Sequence, residues 1–359
     1  MRFAVLAVAA IEVSTQRHTF VSAVRRFGHL RPGWLLVAVA AEVASFGFAA
    51  ELQHRLLSSA RVRVERSFLV ALTYAGAAAS RTIPAGEAVA VGYSYRRLVR
   101  HGIGAQLSTW TLVASGVVSV SMLAVLGVVG AQLRGVGAAG SALGALIGIL
   151  VLATVTATIA GLAWAGRHAS VFERTANGLS RIVDRVGRRR RRSTRSTPHA
   201  TTPVAIDVRL WGWLHACGLS TGNWLADMLA VGATFLALGY GVPWSRLLWA
   251  YVVIQLIVSI PFVGCFGLAE GSMTLALICI GVRPAPALAV VLVYRLVSFW
   301  LTLPLGWFAS RHLARAESTQ SPSPGRFSSD LRLLKPAAAD SYGRRKLDAE
   351  PAARIGCGR

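Results

Sequence analysis

Charged residues are scarce in the apolar parts of this sequence, and the few that occur there mark where chemistry would have to happen. Arg81 and Glu87 flank Pro84 and Gly86 in Ser80-Arg81-Thr82-Ile83-Pro84-Ala85-Gly86-Glu87, behind an apolar run that starts at Ser67. About 180 residues later, Gly264-Cys265-Phe266-Gly267-Leu268-Ala269-Glu270-Gly271 repeats the pattern of small residues and breakers leading into one carboxylate. Hydrocarbon tolerates broken backbone only where protein or a water-filled cavity satisfies its polar groups. An ionisable residue at that depth is a functional hypothesis by default.

The chemistry these residues suit is anion recognition. Pro84 fits the first turn of a half-helix, whose free N–H groups and positive dipole end would face an anionic head group. Arg81 adds a cation and could pair with Glu87, and Arg96 and Arg97 follow. Arg295 lies near the centre of another apolar run and needs a partner, for which Glu270 and Asp227 are the obvious acids. Glu42, mid-span, should face the bundle; its plainer reading is an interhelical hydrogen-bonding residue. For Arg81 and Glu87 the plainer reading is a structural ion pair on a kinked helix. His215, Asn223 and Asp227, spaced by 8 and 4, read as a polar seam facing the interior. No P-loop, hydrolytic motif or metal cluster stands in the sequence. The expectation is therefore a protein that is not an enzyme, with no catalytic residue, metal or cofactor.

The composition says what must hold these residues. Hydrophobic residues make up 54% of the 359 and charged ones 15%, with a mean hydropathy of +0.54, which excludes an ordinary soluble domain. The net charge of +23 gathers between bilayer-length apolar segments, as in cytoplasmic loops of membrane proteins. No nucleic-acid partner is expected. Four scattered cysteines without a C-x-x-C read as buried inert thiols.

The fold class is all-α: a polytopic integral membrane protein of about seven to eight helices or hairpins, in two repeated halves with broken or re-entrant segments. Its parts are a first membrane half over 1–165, a polybasic linker over 166–208, a second half over 209–309, and a disordered basic tail over 310–359. Residues 1–10 read as the remnant of a first membrane helix or as a short interfacial segment, with the even helix count favouring the first, and 11–33 as an interfacial connector. Spans are expected at 34–50, 107–129, 139–165, 210–238, 247–262 and 284–309. Basic clusters at both ends of 67–95 make that segment a hairpin that dips in and returns. Repeat symmetry puts the tail outside and its charge puts it inside.

At the two broken stretches the chain resembles the flippase-like membrane region of lysylphosphatidylglycerol synthetases and the standalone proteins built on it. Pro84, Gly86, Glu87, Arg96 and Arg97 match the first signature; Pro261, Gly264, Gly267, Glu270, Gly281 and Arg295 match the second. The resemblance covers roughly 10–310. Ser80 and Arg81 stand where the family often has Asn, and Thr111–Ser119 lacks the Arg usual in that helix. Only about 50 residues follow the last span, so the resemblance implies the translocating half without the aminoacyl-transferring enzyme.

Together these imply a multi-pass protein of the bacterial cytoplasmic membrane. It would bind, and move between leaflets, an anionic or lipid-linked phospholipid head group, through Arg81, Pro84, Gly86, Glu87, Arg96, Arg97, Gly267, Glu270 and Arg295. A separate envelope-synthesis enzyme is a further partner to expect. Two alternatives stay open: a membrane scaffold of envelope synthesis, and a lipid-modifying membrane transferase.

Overall fold

A computed structural model describes residues 30–82, 86–134, 142–167, 208–258 and 268–320. Among these, every regular element is a helix: α1 (Pro32–Ser59), α2 (Arg66–Thr82), α3 (Gly86–Arg100), α4 (Ala105–Arg134), α5 (Ala142–Arg167), α6 (Leu210–Ala237), α7 (Trp244–Val258), α8 (Leu268–Cys279), α9 (Pro284–Arg295) and α10 (Thr302–Gln320). A π-helical turn, Leu296–Trp300, joins the last two. Such sequences become helices because a bilayer leaves no other partner for backbone polar groups. Three stretches, Pro32–Ser59, Ala105–Leu133 and Pro284–Arg315, are long and apolar enough to cross a membrane. The first of them turns Leu36 outward, and other helices turn Ile149, Leu150, Leu152, Leu210 and Leu275 outward, as a surface wetted by lipid would.

The chain divides into a unit ending at Leu313 and a second beginning at Ala314. Only 314–320 of the second unit are described, as the end of α10. The helix thus continues ten residues past Ser310, where the expected tail was to begin. Within the first unit α10 is amphipathic: Leu313 is buried, and Arg311 lies over the Trp307 ring at 3.7 Å.

The two halves share one element order. A 28-residue helix opens each: α1 and α6. Each is followed by a broken helix pair, α2–α3 or α7–α8, and then by a long helix. Four Schellman turns mark the correspondence. Arg61, Gly102, Gly239 and Gly281 all have positive φ, and each is followed by the N–H that reaches back five residues: Val62 to Leu57, Ile103 to Leu98, Tyr240 to Phe235 and Val282 to Leu277. The offsets are 178 residues from Arg61 to Gly239 and 179 from Gly102 to Gly281.

The helix pairs are hairpins. Phe68 at the start of α2 stacks on His101 just past α3, with ring centroids 4.0 Å apart. Arg246, 178 residues after Phe68, donates from the start of α7 to the Ile280 carbonyl beyond α8, at 3.3 Å. The re-entrant shape expected for 67–95 is therefore present as a helix-break-helix, with 83–85 outside the described residues.

The repeat is also inverted. Arg31, ahead of α1, donates its N–H to the Ala237 carbonyl at the end of α6, at 2.9 Å. Midway, Ser45 Oγ donates to Asn223 Oδ1 at 3.0 Å, across 178 residues. Equivalent helices thus run antiparallel, and an equivalent pair meets itself at their crossing. Only a two-fold axis across the helices does this, the arrangement of inverted-topology repeats.

One glycine closes the first hairpin. A Cβ at Gly86 would land on the Ser80 carbonyl, backbone that cannot swing away. Gly86→Ala is expected to cost about 2–3 kcal/mol by overpacking. Gly47→Ala, where a Cβ meets nothing within 4 Å, should not lower stability. Thermal unfolding in detergent compares the two.

Residues 1–29, 168–207 and 259–267 lie outside the described residues, and with them the N-terminal remnant, most of the linker, Pro261, Gly264 and Gly267. Of the cysteines, Cys217 is half-buried and Cys279 exposed. The expectation of burial fails at Cys279 because apolar neighbours in a membrane helix mark a lipid-facing side as readily as an interior one.

Candidate functional site

A polar cluster fills the junction between the halves. Four helices contribute at turn spacing: Glu42, Ser45 and Phe46 on α1; Tyr74 and Arg81 on α2; Asn223 and Asp227 on α6; Tyr251 and Gln255 on α7. Tyr294, Ser298 and Thr302 follow at four-residue steps along α9, the π turn and α10. Residues four apart share a helix face, so each helix turns one polar stripe to the same place.

Arg81 is the cation. Its Nη2 lies 3.5 Å from Glu42 Oε1, and its Nη1 donates to Thr302 Oγ1 at 2.7 Å and to the Ser298 carbonyl. Thr302 donates to the same carbonyl at 2.5 Å. The π turn surrounds that carbonyl, and such turns often mark functional positions within helices. The Phe46 ring lies 5.6 Å from the guanidinium and 4.7 Å from the Tyr74 ring. At Gly306, one turn past Thr302, a Cβ would strike Ala78 and the Tyr74 carbonyl. The missing side chain is what lets α10 close on α2 here.

Asp227 is the anchored acid. Tyr251 Oη donates to its Oδ2 at 2.5 Å, Gln255 Nε2 to the same oxygen at 3.1 Å, and Tyr294 Oη to Oδ1 at 2.8 Å. Gln255 Nε2 also donates to Tyr251 Oη at 3.0 Å. Glu42, its neighbour, is held differently. It is 3% exposed, with one oxygen toward Arg81 and its Oε2 without a hydrogen-bond partner among the described residues. The cluster therefore sets one cation against two neighbouring carboxyls, one held by three donors and the other by Arg81.

The sequence-predicted residues divide. Arg81 sits in this cluster, and the acid it pairs with is Glu42. The side chains of Glu87 and Glu270 lie outside the described residues, as do Pro84 and Gly267. Gly86 is at the hairpin break. Arg96 and Arg97 end α3, with Arg97 5.3 Å from the Tyr93 ring. That is eleven residues from Gly86, or about 16 Å along a helix, so they are not beside Arg81. Arg295 is half-buried at the end of α9, and Asp227's described hydrogen bonds go to the tyrosines and Gln255 instead of to it. The polar seam also splits. Asn223 and Asp227 face inward, but His215 is exposed and bonds the Trp211 carbonyl at 2.7 Å. Twelve residues of helix rotate it about 120° from Asp227.

The halves are not chemically equal. Ser119, 179 residues before Ser298, also offers its carbonyl across the junction, there to Trp224 Nε1 at 2.9 Å. One side thus carries a cation and the other an indole. An open cleft of ≈ 790 Å³ lies apart from the cluster, lined by Tyr240, Arg246, Arg283 and Pro284 at the turns of the second half. It shares no residue with the site.

Compared with curated proteins, the sequence shows no match. The family description that does match, the lysylphosphatidylglycerol synthase transmembrane region, runs over residues 2–306 and so takes in both inverted halves and every residue of the cluster. The chain belongs to the lysylphosphatidylglycerol synthase transmembrane-region family.

Proposed function

We propose that this chain is a multi-pass protein of the cell membrane that binds an anionic phospholipid, or a lipid-linked head group, and moves it between leaflets. The observation that carries the reading is the Arg81–Glu42 pair beside Asp227, enclosed where two inverted halves meet. A charge in hydrocarbon is expensive and marks a polar path. Arginine presents a planar fork of donors that fits phosphate oxygens. Inverted repeats with a site at their interface are the architecture of rocking transporters. The activity proposed is binding and movement, without a bond made or broken.

The inverted repeat supports an orientation. With both helix pairs returning to the side they left, the turns beside α2–α3 fall on one face and the turns beside α7–α8 on the other. The first face carries Arg61, Arg63, Arg66, Arg96, Arg97 and Arg100 in its turns; the second carries Arg246 and Arg283. Cations favour the cytoplasm, so the first face is assigned there.

The test is head-group accessibility in phosphatidylcholine vesicles carrying a trace of fluorescent phosphatidylglycerol and purified protein. Wild type is expected to expose inner-leaflet probe to an impermeant quencher, and Arg81→Ala to lose this. Equal exposure with and without protein would remove the proposal.

A further inference from the structure

We propose that Glu42 holds the ligand's place: a phosphate-ester anion displaces it from Arg81, and Glu42 takes up one proton as it lets go. Anion and proton then load together, which couples the site to a proton gradient. This rests on the reading of Arg81 as the head-group cation and adds what drives or gates it.

The asymmetry between the two acids is the argument. Asp227 accepts from three side chains on α7 and α9, which hold it in place. Glu42 meets one cation, Arg81, at 3.5 Å, lies against the acid Asp227, and has a buried second oxygen that takes no donor among the described residues. Arg81 does not depend on Glu42 for its position, because Thr302 and the Ser298 carbonyl hold Nη1. Removing the Glu42 contact therefore leaves the cation in place and one face of it free. Access runs the right way too. The Arg81 side chain keeps 27% of its exposure and Glu42 only 4%, so an anion meets the arginine first, with the glutamate behind it.

Once its counter-charge is shared with another anion, an enclosed carboxylate beside Asp227 cannot stay charged cheaply. The groups facing Glu42 are Arg81 and Tyr74 from α2, Asp227 from α6 and Tyr294 from α9, with Tyr251 of α7 reaching it through Asp227. From α4, residues 105–133 bring no charged group. Arg81 is thus the one cation among these. One monoanion in, with one proton onto Glu42, leaves the summed charge of the cluster unchanged. Entry of the anion alone would add a buried negative charge.

The experiment is calorimetric titration of the full chain in detergent with dihexanoylphosphatidylglycerol, in two buffers of different ionisation enthalpy. Wild type is expected to take up one proton per lipid bound. Proton uptake on binding means affinity rises as pH falls, by up to tenfold per pH unit. Glu42→Gln is expected to bind more tightly than wild type at high pH, with no proton uptake and no pH dependence.

Wild-type binding without proton uptake overturns the inference and leaves translocation standing; this measurement decides alone if the variant does not fold. Uptake retained by Glu42→Gln overturns the assignment to Glu42. Uptake with no lipid movement in vesicles supports the inference and removes the translocation reading. Inorganic phosphate binding as tightly as the lipid, with the same uptake, removes the lipid as the source of the anion. No binding by either probe removes both readings.

Discussion

Asp227→Ala is expected to lower stability more than any other single truncation in the cluster. Asp227 is 9% exposed and accepts from Tyr251, Gln255 and Tyr294. It therefore ties α6 to both α7 and α9. Three ordinary intramembrane hydrogen bonds, at about 0.6 kcal/mol each, would sum to about 2 kcal/mol. An ionised acceptor raises each to about 1.5–3, and two phenols are left buried without their acid. The Gln255–Tyr251 bond survives the truncation, which trims the total. The charged acceptor dominates, so the expected loss is upward of about 4 kcal/mol, read as a fall in Tm of roughly 8 °C or more in detergent. Asp227→Asn keeps one acceptor oxygen and should fall between. A shift near the lower figure would mean the three contacts act as ordinary neutral hydrogen bonds.

This acid was visible in the sequence as one of a spaced series, but its partners were not. The elements themselves were legible. Apolar runs of bilayer length and the turns between them place α4, α5 and α6 within a few residues of their ends, because bilayer thickness sets helix length; 247–262, expected as a full span, is instead the first arm of a hairpin, the 15-residue α7. The first broken hairpin is legible from Pro84 and Gly86 between two basic turns. What composition does not carry is which polar residues meet across helices. The clearest case is Glu42: it was read as facing the bundle, yet Glu87, six residues from Arg81 in the sequence, drew attention as the nearer acid. The available signal was the four-residue spacing of Asn223/Asp227, Tyr251/Gln255 and Tyr294/Ser298/Thr302 on otherwise apolar helices. Tyrosine and serine look like routine packing residues until several helices show the same stripe.

Inversion of the repeat was hidden for a related reason. Repeat length shows in sequence as an offset near 178, but its sense shows only when equivalent residues such as Ser45 and Asn223 touch. Chemical asymmetry between halves was partly legible. Gly116, 179 residues before Arg295, stands where the first half would carry the matching arginine. The first half puts its arginine at the hairpin break instead, at Arg81.

Removing Arg81 alone is expected to cost stability and transport together, and a second substitution should separate them. Arg81→Ala strips Glu42 of the one cation that faces it, leaving an acid 3% exposed beside another acid. Breaking a buried pair by taking one partner typically costs about 3–5 kcal/mol, mostly the penalty of the charge left behind. Partial exposure of Arg81 puts the expectation at the lower end, about 3 kcal/mol. Adding Glu42→Gln removes the stranded charge, so the double variant should recover most of that loss, with a coupling in the 0.5–3 kcal/mol range for contacting residues. Lipid movement should not recover, because a neutral site has regained packing but no donor fork for a phosphate. If Arg81 were only a brace for Thr302 and the Ser298 carbonyl, stability would stay low in the double variant and any residual movement would track it. If the pair were only a structural ion pair, movement would return with stability. Restored Tm with abolished movement is the one outcome that assigns Arg81 to the ligand.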